Sequence, residues 1–131
     1  MGGCRQDHIL SSFWDLLPSI RGILLFGSRV MGYAGPESDI DLCLILSDSA
    51  DRVAVHDRML VTPEQQYDIV VYDEIPWYLR GRILEQHRII YAKDPDDLDF
   101  WLYKQRRIWK EMKRRQKRAS VEDLLRRLGH P

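Results

Sequence analysis

Two short apolar runs, Ile23-Leu24-Leu25-Phe26 and Leu42-Cys43-Leu44-Ile45-Leu46, flank the stretch Gly27-Ser28, a ten-residue spacer and the acidic triplet Asp39-Ile40-Asp41. Apolar runs of this length, one between glycines and the other between Asp41 and Ser47, are too short for helices and suit buried strands. The pattern predicts a strand, a tight turn onto a short helix reaching about residue 33, a break at Gly35-Pro36 and a second strand. Successive side chains of a strand point to opposite faces. Asp39 and Asp41 therefore share one side, and Ile40, Leu42, Leu44 and Leu46 share the other.

That arrangement carries chemistry. Gly27 has no Cβ, so backbone N–H groups of the turn can approach a phosphate closely, and the Ser28 hydroxyl adds a donor. Two carboxylates side by side repel unless a cation sits between them. Oxygen-only ligands of this kind suit Mg²⁺, which takes one or two carboxylates together with substrate phosphates. The implied ligand is a magnesium nucleoside triphosphate.

The rest of the chain reads as alternating helices and strands. Residues 8–17 place apolar side chains at Ile9, Leu10, Phe13, Trp14, Leu16 and Leu17, a helical stripe ending before Pro18. Residues 47–62 are ambiguous, with Val53, Val55, Met59 and Leu60 lining a short helix or a loop over the sheet. The β-branched and aromatic run 67–72 reads as a strand carrying Asp68. Pro76 opens a helix with Trp77, Leu79, Ile83 and Leu84 on one stripe, and 88–91 is a short final strand. Asp94-Pro95 caps a long helix to about residue 118, and Ser120-Val121-Glu122-Asp123 is a capping-box pattern for a last short helix.

Length and charge limit the possibilities. The chain has 131 residues, 44% hydrophobic and 31% charged. That composition fits one soluble globular domain, with a core expected over 1–95 and a C-terminal helical extension packed on it over 96–131 as part of the same structural domain. No apolar run is long enough to span a bilayer and the N-terminus lacks a signal core, which points to the cytoplasm. Gly2 suggests myristoylation only weakly, because Gln6 stands where Ser or Thr belongs. Cys4 and Cys43 form no CxxC, and the four histidines occur singly, so neither a disulfide framework nor a zinc site is expected. Residues 1–103 hold 9 Lys+Arg against 17 Asp+Glu, whereas residues 104–131 hold 11 against 3. An acidic body thus carries a basic tail, a statement about partners rather than fold.

Gly27-Ser28, the spacer and Asp39-x-Asp41 resemble the signature of the nucleotidyltransferase superfamily that includes DNA polymerase β. The local form GSRxxG…SDIDL is similar to that of the minimal nucleotidyltransferase (MNT) antitoxins paired with HEPN toxins. The resemblance covers roughly residues 9 to 95. It implies an α/β fold with a mixed sheet of about four strands flanked by helices, the polymerase β palm-like core. It also implies two Mg²⁺ ions held by Asp39, Asp41 and Asp68, with ATP as donor. Asp68 fits the superfamily's third acid, completing the metal that activates the acceptor and taking the hydroxyl proton; its bland reading is a solvated carboxylate at a strand start. Gly27 and Ser28 become nucleotide-binding. Arg29 either neutralises the triphosphate or is a surface cation, and Ser38 either orients Asp39 or is a commonplace Ser before a strand. Gly32 matches a second family glycine that lets the helix pack closely. Tyr33, Tyr67 and Tyr72 could stack on a base but fit a core better.

The resemblance further implies AMP transfer to a tyrosine of a HEPN ribonuclease toxin encoded nearby, in a type VII toxin–antitoxin pair. About 36 residues follow position 95, so no separate acceptor domain is expected and the acceptor is expected to come with another protein. That also disfavours transfer to a small-molecule hydroxyl. Two competing readings remain: a non-catalytic partner that masks a toxin, and a nucleic-acid binder acting through the basic helix 104–118. The same helix fits docking on the body through Trp101, Leu102, Ile108, Trp109 and Met112 together with contact to a protein partner. Homodimerisation stays open.

Overall fold

A computed structural model describes residues 8–27, 40–60 and 67–129. Four strands form one sheet in the order β3-β2-β1-β4: β1 (Ile20–Phe26), β2 (Ile40–Leu46), β3 (Tyr67–Val71) and β4 (Arg88–Ala92). β1 pairs antiparallel with β2 and β4, and β2 pairs parallel with β3. The sheet is therefore mixed, as expected. Besides a short N-terminal helical stretch, the described residues include the helices α1 (Arg52–Leu60), α2 (Trp77–Glu85) and α3 (Pro95–Arg127).

The apolar alternation sorts the core into two layers. On one face Ile23, Leu25, Ile40, Leu42, Leu44, Leu46 and Ile90 meet Ile9, Phe13 and Leu16 from the N-terminal segment and Val55 from α1. On the other, Leu24, Cys43 and Ile45 meet Ile83 and Leu84 of α2 and Leu98 and Leu102 of α3. Helices cover both sides, which explains why the β1 and β2 interiors are nearly unbroken apolar runs. Arg58 ties α1 to the N-terminal segment, donating to Asp15 Oδ2 at 2.9 Å and to the Ser12 carbonyl at 2.6 Å.

Several boundaries differ from the sequence reading. Among the described residues the N-terminal helix runs from 8 to 12 and is followed by a 3-10 turn, Trp14–Ser19, with Pro18 inside it. A proline removes one N–H donor, and a short 3-10 turn has few internal bonds to lose. Trp14 consequently points to solvent, 71% exposed. The ambiguous segment 47–62 holds α1, anchored by one buried residue, Val55.

The largest correction concerns the C-terminus. Ser120 does not open a new helix, because α3 runs unbroken for 33 residues. No Gly or Pro interrupts 96–127, so nothing there competes with continued helix. Asp94 caps its start, accepting from the N–H groups of Asp96 and Asp97 at 3.1 and 3.3 Å, and Gly129, at φ +77°, follows its end.

α3 docks through its first half. A Cβ on Gly81 of α2 would overlap the indole of Trp109, so the missing side chain is what lets the two helices close. Trp109 Nε1 donates to Glu85 Oε1 at 3.1 Å, and Lys113 pairs with the same oxygen. Tyr72 OH donates to Gln105 Oε1 at 3.0 Å and its ring meets Trp101 edge-on at 4.8 Å. Of the five residues expected to dock, Leu102 is buried, Trp101 and Trp109 are partly buried, Met112 is half-buried and Ile108 is largely exposed. Beyond Met112 the helix projects, exposing Val121, Leu124, Leu125 and Leu128. Among the described residues no helix is long and apolar enough to cross a membrane.

Candidate active site

β1 delivers Gly27 at its C-terminal end, with φ +83°, a conformation open to glycine and strained for other residues. A Cβ built there would overlap the carboxylate of Asp41. The glycine therefore serves twice, turning the chain and making room for an acid on the neighbouring strand.

The register decides which side chains meet. Phe26 lies opposite Asp41 across the β1/β2 ladder, and Asp41 lies beside Asp68 across the β2/β3 ladder. Residues on one rung of a sheet point to the same face, and adjacent strands are about 4.8 Å apart. Asp41 and Asp68 thus stand side by side at one end of the sheet, on the face that farther along carries Cys43, Ile45 and Val70. Asp41 is half-buried and Asp68 exposed.

Hard oxygen donors on neighbouring strands, next to a turn kept free of a Cβ, fit a hard divalent cation with phosphate oxygens completing its shell. Among the described residues no group of three or more His, Cys, Asp or Glu converges, so this donor set consists here of two acids. Ser28, Arg29, Gly32, Tyr33, Ser38 and Asp39, all singled out from the sequence, lie outside the described residues.

Behind the acids the face is apolar. Burial, reinforced by the nearby Asp73 carboxylate, pushes the Cys43 thiol up to about 12, so it remains a neutral core group. Burial likewise raises the Tyr72 phenol. Tyr72 sits in the core against Trp77 and Trp101, while Tyr67 packs on Phe13 at 5.8 Å across the other face. Neither is placed to stack on a nucleotide.

A cleft of about 410 Å³ opens beside Gly27, with Phe26 and the side chains of α2 as its walls. No motif marks these positions. Arg82 lies in the last turn of α2 and Gln86 caps its end.

A glycine turn feeding paired carboxylates on an α/β mixed sheet is the arrangement of a nucleotidyltransferase core. The family described as "Polymerase beta, Nucleotidyltransferase" matches residues 10–96. The chain belongs to that family and is a nucleotidyltransferase.

A relative named "Putative protein adenylyltransferase MJ1547", from Methanocaldococcus jannaschii, is 31% identical over 99 residues, spanning 76% of this chain and 77% of that one. Solved structures share the fold at lower identity. The chain of a toxin–antitoxin crystal structure with AMP-PNP superposes with a TM-score of 0.67 at 20% identity, over 92% of this chain and 98% of that one. A structure of a tri-AMPylated Shewanella oneidensis HEPN toxin in complex with MNT antitoxin gives 0.67 at 18% identity, over 95% and 99%.

Proposed function

We propose that this chain moves AMP from ATP, with Mg²⁺, onto a tyrosine hydroxyl of a HEPN-family toxin encoded nearby, and so acts as the antitoxin of a type VII pair. The observation that carries this is the rung shared by Asp41 and Asp68 beside Gly27. Supporting it, the M. jannaschii relative is named a protein adenylyltransferase, and a structural neighbour is an MNT antitoxin in complex with an AMPylated HEPN toxin.

In this reading Asp39, Asp41 and Asp68 hold two Mg²⁺ ions. Those ions, when bound, neutralise charge on the phosphoryl oxygens and lower the pKa of the attacking hydroxyl. Gly27 gives the triphosphate access to backbone N–H groups, and Ser28, Arg29 and Ser38 supply further contacts around it. Asp68, more exposed than Asp41, takes the acceptor's proton as the oxygen–phosphorus bond forms and the bond to pyrophosphate breaks. The acceptor arrives on a second protein.

The test is incubation with labelled ATP, Mg²⁺ and the neighbouring HEPN protein, followed by peptide mass spectrometry. Label on a tyrosine that disappears with Asp41→Ala or Asp68→Ala is expected. Association without label, unchanged in those variants, would establish masking instead.

One observation favours a second activity. Residues 104–118 carry nine Lys+Arg against one acid, much of it on the projecting part of α3. RNA binding that is steeply salt-dependent, survives loss of the acids and needs 104–118 would be its signature.

A further inference from the structure

The cleft beside Gly27 has a composition that the transfer reaction leaves unused. Its floor is apolar, made by Phe26 on β1 and by Leu79 and Ile83 on α2. Two exposed polar side chains also line it: Arg82, in the last turn of α2, and Gln86, the extended residue that caps the end of that helix. Glu85, a further lining residue, is engaged by Trp109 and Lys113, and these two donors hold its carboxyl below the usual range. Arg82 and Gln86 have no such engagement: among the described residues neither side chain forms an ion pair or hydrogen bond. The register also places them, since Arg88, two residues after Gln86, pairs with Leu25, two residues before Gly27.

We propose that this cleft seats the purine of the donor nucleotide, with Arg82 stacking on the ring and Gln86 reading its edge. The inference rests on the functional reading above and adds to it the residues that choose the base. An apolar lining with one planar guanidinium among its residues suits an aromatic ring of any identity. A glutamine amide discriminates: it offers one donor and one acceptor, which match the N6 amino group and N7 of adenine bidentately. The corresponding edge of guanine presents two acceptors, O6 and N7, and leaves the amide oxygen facing another oxygen. A cleft of about 410 Å³ also falls within the range of small-molecule sites.

Calorimetric titration of the full-length protein with ATP, GTP and inorganic tripolyphosphate tests the proposal. For the unaltered chain ATP binds more tightly than GTP. Arg82→Ala weakens both nucleotides roughly tenfold, a loss of about 1.4 kcal/mol, and leaves tripolyphosphate unchanged. Gln86→Leu removes most of the preference for ATP over GTP and likewise spares tripolyphosphate. Both positions are exposed, so folding is preserved, and a thermal melt checks this. Variants that bind ATP and GTP as the unaltered chain does would overturn the cleft while leaving AMP transfer standing. An unaltered chain that binds neither nucleotide would overturn the functional reading, and this one with it.

Discussion

At Gly27 a single added methyl group would do the most local damage. Alanine there would be forced into the left-handed region, at roughly 1–2 kcal/mol, and its Cβ would displace the Asp41 carboxylate. Gly27→Ala should therefore lower stability by about that amount in urea titration. On the proposed function it should lower AMP transfer more steeply, about 10²-fold, because an acid moved from its proposed metal-holding position loses its geometry. Asp68→Asn is the contrasting case. The side chain is exposed, so the melting curve should barely move, within about 0.5 kcal/mol, while transfer falls by roughly 10²–10⁴-fold. Equal losses of stability and activity at position 68 would mean a structural acid. The turn at Gly27 and the strand placement of Asp41 and Asp68 were legible from sequence because turn chemistry and the two-residue period of strands are local rules. The cleft lined by Arg82 and Gln86 was not, since exposed polar residues at the end of a helix look the same in sequence whether they face a cleft or open water.

The seam between α2 and α3 depends on a missing side chain in one helix and an indole in the other. Gly81→Val should wedge Trp109 away from α2, costing about 1–3 kcal/mol by overpacking, with a red-shifted tryptophan emission as the optical sign. The same seam contributes a pH response. The Lys113 and Trp109 donors depress the Glu85 carboxyl, and Arg52 does the same for Asp73. Folded values below unfolded ones mean that the stabilisation is complete above the ordinary values of 4.5 and 3.8 and fades as pH falls through the depressed ones. Urea midpoints should thus decline on acidification below that range, and Glu85→Gln should shrink the decline. Strand positions were legible within a few residues, because apolar runs next to Gly, Pro and Asp leave little freedom. The Ser120 capping pattern misled: a capping box starts a helix only where the preceding chain has left one, and residues 113–119 give it no reason to.

Taken whole, the molecule divides its charge along its length. The basic second half of α3 makes few contacts with the acidic body, so deleting residues 113–131 should change stability little beyond the loss of the Lys113–Glu85 pair. If the projecting helix is where the HEPN partner is held, the same deletion should weaken the complex at least tenfold in a pull-down titrated by concentration. The charge asymmetry was visible in composition, whereas the reach of the helix was not, because it depends on α3 continuing past residue 118.

The uninterrupted backbone of α3 has a mechanical consequence. A 33-residue helix is about 50 Å long, and with no glycine or proline between 96 and 127 it lacks a hinge. It therefore behaves as a ruler. Removing one residue near 114 would rotate everything beyond it by about 100°, whereas removing seven would nearly restore the phase while shortening the reach by about 10 Å. A partner gripped at the far end should tolerate neither change equally: phase errors should abolish its alignment with the carboxylates, and length errors should move its acceptor off target.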